Sequence, residues 1–455
     1  MDIIVSANAV TLGLMMSYKP GGTQLSDVLS ALQGGTGLRC VDWSPKVTAR
    51  ECKPSQFNFC VHTNSGYIVY NTLYNSLVRM RQCEYEQYER KKECTPELLR
   101  SFVENGLWVC AEIDELGRYL DCAELILRRH DRVLNLTVAT TLRCNANCPY
   151  CYERGVGQVD MLPGSSEKII AFILNNNPGF GVNFTWFGGE PLMNTPLIDE
   201  ICDAMTFREI PFTSFMITNG SLFRLDELEK NVSRWHLESV QISLDGTAKV
   251  YHEIKKYNTK SQITYYLILR AIRKLADLKV HVTIRLNIAK HNAIDIFNLL
   301  KELDYLYSGN DWIQYYPAFV EGTEDSFRPE EKRDYLVKLL DAVKDLKKLT
   351  LTDRLYSLPK THSCHNSDPR AFTIDTYGNI MGCEHYVGHA ERAFANLDNV
   401  SEIIDPRLQR RPLRLQCREC VFLPKCFGGC QAYCDSGDDP CRIEKYLIPA
   451  YLSLL

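Results

Sequence analysis

The sequence predicts an α/β fold built on a parallel sheet, preceded by a small module of strands and helices and followed by a cysteine-rich final third. Three observations predict it. From residue 134 to about 320, apolar runs of strand length alternate with amphipathic stretches of helix length. Such alternation demands parallel strands joined by right-handed crossovers, in a sheet that opens as a doubly wound layer or curls into a barrel. Near Phe57 two alternating apolar runs flank a turn and lead into helix-like stretches, and after Cys364 the cysteines fall at tight spacings. At 455 residues the chain exceeds one compact core of ordinary size, so two or three domains are expected.

In chain order, residues 1–52 form an extension with no assigned role. Pro20-Gly21-Gly22 and Gly34-Gly35-Thr36-Gly37 leave only a short helix-like stretch, Leu25 to Leu32, and the segment reads as loosely ordered. Residues 53–133 form a compact module. Phe57 to Val61 and Tyr67 to Tyr70 flank Asn64-Ser65-Gly66, which is hairpin chemistry, and Leu77 to Met80 leads into a helix through Tyr88. Thr95 is the N-cap and Pro96 the first residue of a second helix, Gly106 closes it, and Leu107 to Val109 is a returning strand, giving a winged-helix-like layout.

Residues 134–325 carry the alternating core. Its strands are Leu134 to Thr140, Val182 to Phe187, Phe212 to Ile217, Ser239 to Leu244, Val280 to Ile288 and Trp312 to Tyr316; Glu167 to Leu174, Ile263 to Leu278 and Asp295 to Leu306 are helices between them. Residues 326–362 are a helical connection, 363–445 the cysteine-rich domain, and 446–455 an apolar tail half the length needed to cross a bilayer core of about 30 Å.

Composition narrows the function classes. A formal net charge of -4 with 24% charged residues gives no electrostatic reason to expect nucleic acid or an acidic membrane as partner. Nineteen cysteines, an odd count in a long chain with many metal-type spacings, argue against a disulfide scaffold. Met1 to Leu14 is mildly apolar but lacks a basic leading segment, so no secretion signal is read and a reducing cytoplasm is expected.

The chemistry starts at Cys144-Asn-Ala-Asn-Cys148-Pro-Tyr-Cys151. Thiolates normally hold all four irons of a cubane iron–sulfur cluster, so a three-cysteine loop leaves one iron free to chelate a small molecule. A zinc knuckle would want a fourth Cys or His close by. The C-x3-C-x2-C spacing with Tyr150 before the last cysteine resembles the radical SAM enzymes. That resemblance implies a [4Fe-4S] cluster on Cys144, Cys148 and Cys151 whose open iron binds S-adenosylmethionine and passes it one electron, releasing a 5′-deoxyadenosyl radical. It also implies a partial (β/α)6 TIM-like barrel with the cluster loop at the carboxyl end of the first strand.

By the same resemblance, Gly188-Gly189-Glu190 holds the methionyl amino group: the glycines permit close approach and the carboxylate accepts from an ammonium. Asn219, Ser243, Asp245 and Arg285 lie in segments that in relatives face the ribose, carboxylate and adenine. An Arg within a barrel strand needs an anion, which makes Arg285 the leading candidate among them.

The run Cys417-Arg-Glu-Cys420, Cys426 and Cys430, with Cys364, Cys383 and Cys441, resembles the SPASM extension, which binds two auxiliary [4Fe-4S] clusters. The family pattern gives Cys417, Cys420, Cys426 and Cys441 to the distal cluster and Cys364, Cys383 and Cys430 to the nearer one, whose fourth iron is open or taken by Cys434, His362 or His365. Such clusters contribute folding energy. Glu384, beside Cys383, occupies the position of an acidic general base in sulfatase-maturing relatives. Cys40, Cys52, Cys60, Cys83, Cys94, Cys110, Cys122 and Cys202 read as small core residues.

Residues 53–133 resemble the PqqD-like peptide-recognition element of radical SAM peptide maturases, which takes up a leader peptide as an added strand. Taken together, these resemblances imply a radical SAM/SPASM peptide maturase that forms a thioether or carbon–carbon crosslink in a ribosomally made precursor peptide bearing a leader. A one-electron donor such as flavodoxin or ferredoxin is implied as partner, with no nucleic acid and no membrane. The alternatives are an anaerobic sulfatase-maturing enzyme that makes formylglycine, and a non-enzymatic zinc-bound interaction protein.

Overall fold

The computed structural model describes residues 1–5, 51–90, 94–127, 133–176, 179–257, 264–343, 357–402, 405, 407 and 413–455. The helix-like stretch at 25–32 and Cys40 lie outside them.

The N-terminal module contains β1 (Asp2–Val5), β2 (Cys52–Pro54), β3 (Asn58–Thr63), β4 (Gly66–Asn71), β5 (Leu77–Met80) and β6 (Trp108–Cys110). The expected hairpin forms between β3 and β4, where Gly66 turns at φ +130° and a Cβ would stand 2.4 Å from the Met80 carbonyl oxygen. Thr95 Oγ1 accepts from Leu98 N to cap helix Pro96–Glu104, and Gly106, left-handed at φ +66°, ends it by donating to Val103 O while Leu107 N donates to Phe102 O.

Three features depart from expectation. The returning strand β6 pairs with β2, because buried Trp108 packs on Phe102 and Tyr88 and holds that strand on the helical side of the module. Asp2–Val5, read as part of a loosely ordered extension, is a strand pairing antiparallel with β5, so the main sheet runs β1-β5-β4-β3. Four residues are too few for a periodic signal. A helix, Glu115–Leu127, follows β6.

β7 (Leu134–Thr141), β8 (Val182–Gly188), β9 (Phe212–Thr218), β10 (Leu237–Leu244), β11 (His281–Ile288) and β12 (Ile313–Phe319) lie side by side in chain order, all parallel. Their alternation separates two faces. Leu136, Val138, Phe184, Trp186, Val240, Ile242, Ile284 and Leu286 join the core formed with helices Ser165–Asn176, Thr195–Phe207, Thr264–Asp277 and Asp295–Tyr307. On the opposite face Asn135, Thr137, Asn183, Thr185, Thr213 and Ser239 line a cavity of about 490 Å³. A doubly wound sheet needs both faces apolar, so a polar inner face is the pattern of a sheet curled around its own interior.

The C-terminal third continues the same sheet. β13 (Ala371–Ile374) adds in parallel beside β7, and β14 (Asn379–Met381) and β15 (Ala395–Asn396) follow antiparallel, giving nine strands among the described residues. The cysteine-rich third is therefore not a separate globule. Short helices Leu415–Arg418, Leu423–Cys426 and Gln431–Ser436 then carry the clustered cysteines.

The terminal segment, expected as a tail, is helix Glu444–Leu452, with Leu447, Ile448, Ala450 and Leu452 buried. Ile448 and Leu452 share a core with Phe422 and with Ile68, Tyr70 and Leu77 of the N-terminal sheet. Lys425 Nζ, also buried, donates to Asn75 Oδ1 and Ser357 O, and Thr72 Oγ1 donates to Val421 O. The N-terminal module and the cysteine-rich segment are thus joined by packing and by hydrogen bonds. Among the expected core cysteines, Cys52 and Cys202 are buried, Cys60, Cys94, Cys110 and Cys122 are half-buried, and Cys83 is exposed.

Replacing Ile448 by Ala removes buried methyl groups from this shared core, so the substitution is expected to cost about 2–5 kcal/mol in urea unfolding. A loss under about 0.5 kcal/mol, the usual effect at a surface position, contradicts the placement of the helix.

Candidate active site

The loop after β7 carries Cys144, Cys148 and Cys151, all half-buried. It is held by backbone. Gly189 N donates to Thr141 O at 2.9 Å and Glu190 N to Arg143 O at 2.8 Å. A Cβ on Gly188 would stand 2.1 Å from Thr141 O, and one on Gly189 2.4 Å from Arg143 O. The glycines therefore also admit the close approach of the cysteine loop itself, besides the approach of a ligand expected from the sequence. On its other side, Asn147 N donates to Lys255 O at 2.7 Å.

Glu190 is fully buried at the end of β8. Its carboxylate accepts from Thr218 Oγ1 at 2.6 Å, Asn219 N at 2.8 Å and Leu192 N at 3.2 Å. Burial pushes its pKa up, and these donors and Lys255 pull against that rise. Asn219 Nδ2 donates to Asn145 Oδ1 at 2.9 Å and stands 4.0 Å from Cys144 Sγ, so the end of β9 touches the cysteine loop directly.

Asp245 and Ser243, at the end of β10, belong to a buried network around Tyr150. Tyr150 O–H donates to Asp245 Oδ2 at 2.5 Å, and Asn287 Nδ2 donates to Asp245 Oδ1 at 2.9 Å and to the Tyr150 oxygen at 3.1 Å. Lys255 Nζ donates to Ser243 Oγ at 2.8 Å, pairs with Asp245 Oδ2 at 3.0 Å and reaches the Tyr150 oxygen at 3.1 Å. Burial works to lower the Lys255 pKa, and Asp245 together with Tyr150, Cys148 and Tyr251 more than offsets it, so the net direction is upward. Lys255 was missed in the sequence because a lysine in the last turn of an eight-residue helix, Ala248–Lys255, reads as a solvated dipole partner.

Arg285 is half-buried on β11. Its Nε donates to Asn287 Oδ1 at 2.9 Å, and no carboxylate pairs with it among the described residues. It faces a cavity of about 730 Å³ that is also lined by Cys364, Cys383, Glu384, His385, Cys430 and Tyr433. The Tyr152 and His385 rings stack at 4.0 Å, and His385 meets Tyr433 edge-on at 5.3 Å, so aromatic contacts run from beside Cys151 to beside Cys383 and Cys430. Nothing in the sequence signalled this stack.

Among the cysteines of the last third, Cys364, Cys383, Cys430 and Cys441 all line the larger cavity. Burial first, then Glu384 and the nearby Cys364 and Cys430, push the Cys383 thiol up. Lys445 Nζ contacts Cys441 Sγ at 3.2 Å and lies near Cys420, while Cys426 lies near Cys441 and Cys417 precedes Cys420 by one short turn. His362 and His365 line the larger cavity; Cys434 is not among its lining residues.

Cys144, Cys148 and Cys151 share one loop, with Glu190, Lys255 and Arg285 around it, the residue types a cubane cluster and a chelated zwitterion would need. Among the described residues, however, no three Cys, His, Asp or Glu side chains converge closely enough to hold a metal ion. Burial, with like-charged neighbours, pushes Cys144 up to about 12 and Cys151 up to about 11, so the protein alone does not favour thiolates there.

Residues 138–303 match the family model described as the radical SAM superfamily. The chain is similar to a cysteine-type anaerobic sulfatase-maturating enzyme of Clostridium perfringens, 21% identical over 352 residues that cover 68% of this chain and 91% of the relative. It is 24% identical to a serine-type anaerobic sulfatase-maturating enzyme of Klebsiella aerogenes over 327 residues, 64% of this chain and 77% of the relative. The solved structure of native anSMEcpe with bound AdoMet and Cp18Cys peptide shares the fold at TM-score 0.54 and 17% identity, covering 70% of this chain and 95% of that one. Residues 138–303 are thus similar to the radical SAM superfamily, a name that implies S-adenosylmethionine and a [4Fe-4S] cluster.

Lys255→Met leaves Asp245 charged and buried without its cation, and is expected to cost about 3–5 kcal/mol in urea unfolding. Adding Asp245→Asn is expected to recover most of that loss. An unchanged midpoint in the single variant contradicts the buried pair.

Proposed function

We propose that this protein is a radical SAM enzyme that modifies a ribosomally synthesised precursor peptide, closing a thioether or carbon–carbon crosslink. The observation that carries the reading is the larger cavity, whose walls join Arg285 of the barrel to Cys364, Cys383, Cys430 and Glu384. Its volume of about 730 Å³ is in the range of ligand pockets and suits a short stretch of peptide. That the anSMEcpe structure holds a peptide supports a peptide substrate here as well.

In this reading Cys144, Cys148 and Cys151 hold the cluster, and Gly188, Gly189, Glu190, Asn219, Ser243, Asp245 and Arg285 hold S-adenosylmethionine. Bound together, the two supply a 5′-deoxyadenosyl radical. Glu190 would receive the methionyl ammonium, Arg285 would offer a cation for the methionyl carboxylate, and the Tyr150 network, with Lys255 paired to Asp245, fixes the loop's last turn. Glu384 would accept the proton released when the substrate radical is oxidised, the nearer auxiliary cluster being the group that would take up the electron. Cys364, Cys383 and Cys430 hold the nearer auxiliary cluster and Cys417, Cys420, Cys426 and Cys441 the distal one, with a flavodoxin or ferredoxin as one-electron donor. Residues 53–133 receive the leader.

The similarity to two sulfatase-maturating enzymes favours formylglycine formation as a second reading. Anaerobic incubation with any short peptide rich in Cys, Thr or aromatics that a neighbouring reading frame encodes, followed by mass spectrometry, separates the two. The first reading predicts loss of two hydrogens per crosslink, with a fragment-ion gap across the bridged residues. Formylglycine on a sulfatase-derived peptide, with the neighbouring peptide unchanged, supports the second and contradicts the first.

A further inference from the structure

Two cysteines outside every cluster-type spacing face each other across the ribbon that β2 and β6 form. Cys52 opposes Cys110, Lys53 opposes Val109 and Pro54 opposes Trp108. Ser55 N donates to Leu107 O at 2.9 Å and Ala111 N to Glu51 O at 2.8 Å, so Ser55 with Leu107 and Glu51 with Ala111 are hydrogen-bonded pairs. Hydrogen-bonded and non-hydrogen-bonded pairs alternate along an antiparallel ladder, which puts Cys52 with Cys110, and Pro54 with Trp108, in the non-hydrogen-bonded class. Pro54 has no amide hydrogen to donate and suits that place.

This class brings opposed side chains closest. Its Cα atoms stand about 4.5 Å apart with both side chains on one face, inside the span of about 4.4–6.8 Å that a disulfide bridges. Both cysteines are free thiols here, and Cys110 is among the groups that push the Cys52 thiol up, after burial and ahead of Glu51. The two differ in access. Cys52 is 3% exposed and shares a core with Trp108, whereas Cys110, at the end of β6, is half-buried.

We infer that Cys52 and Cys110 form a reversible dithiol–disulfide site that reacts with low-molecular-weight disulfides, Cys110 being the attacking thiol and Cys52 the resolving one. Cys110 loses its proton, attacks one sulfur of the small disulfide and displaces a thiolate. Cys52 then loses its proton and attacks Cys110 Sγ, which forms the bond between the two residues and displaces the second thiolate. Two electrons pass from the pair to the small disulfide, and the two protons end on the two small thiols released. In a reducing compartment the pair rests as thiols, so the bond is a transient, redox-sensing one and no scaffold. It closes a loop over residues 53–109, which hold β3, β4, β5 and helices Gln82–Arg90 and Pro96–Glu104, and so fastens the module against opening.

The test treats the iron-loaded full chain with oxidised glutathione under exclusion of air, then alkylates, digests and reads the peptides by mass spectrometry. Cys83 is exposed, so a glutathione adduct there reports that the oxidant has acted. Peptides linked through Cys52 and Cys110 are expected at least about ten-fold above any other cross-link, and dithiothreitol is expected to abolish them. Cys52→Ser is expected to trap glutathione on Cys110, and Cys110→Ser to leave Cys52 at least about ten-fold less modified than Cys83. In the linked chain, pulse-labelled amides of β3 and β4 are expected to open at higher urea than in the reduced chain. An adduct on Cys83 without the linked peptides, glutathione on Cys52 in Cys110→Ser, or an unchanged urea midpoint would each overturn the proposal. The linked peptides are read without any variant, and no arm of the test depends on S-adenosylmethionine or on a peptide substrate.

Discussion

The cysteine loop is positioned by backbone contact with Gly188 and Gly189, and the rest of the site follows from that contact. No side chain fits between Thr141 or Arg143 and the end of β8, so the two strand ends close on each other through amide–carbonyl bonds. With that spacing fixed, Glu190 falls directly behind the loop and collects donors from β9, and Asn219 reaches toward Cys144. The fully buried carboxylate is tolerated because each of these donors is itself held by strand geometry.

A second constraint acts from the far side. Tyr150, Asp245, Asn287, Ser243 and Lys255 form a closed network in which the only ammonium and the only carboxylate satisfy each other. Because Lys255 also presents its carbonyl to Asn147, the loop is anchored at both ends, through β8 and through the helix after β10. Beyond it lie the inner cavity of the sheet and the cavity beside Arg285, the latter bounded by Cys364, Cys383, Cys430 and Cys441. The C-terminal helix and Phe422 carry packing onward into the N-terminal sheet, so elements distant in sequence share one core.

Much of the barrel was legible because its strands are long and bounded by helices of clear period: β7 to β11 begin and end within two residues of expectation. β12 runs three residues further than expected, to Phe319, since Pro317 hides its continuation. Glu190, Asn219 and Asp245 stood out as polar groups at strand ends. Lys255 did not, because only the tertiary fold removes it from water, and the same holds for the Tyr152–His385 stack, whose partners are far apart in sequence. β1 and the pairing of β6 with β2 were invisible for a related reason: strands of three or four residues carry no period, and their partners are chosen by packing around Trp108 and along the edge of β5.

The most direct test of the account is 5′-deoxyadenosine formation by reduced, iron-loaded protein under strict exclusion of air, compared with Gly189→Ala and Cys148→Ala. The account predicts product from the unaltered chain and its loss in both variants, with the iron bound by the C-terminal cysteines retained. Undiminished cleavage in Gly189→Ala would contradict the claim that this backbone approach sets the site, and no product from any chain would contradict the enzyme itself.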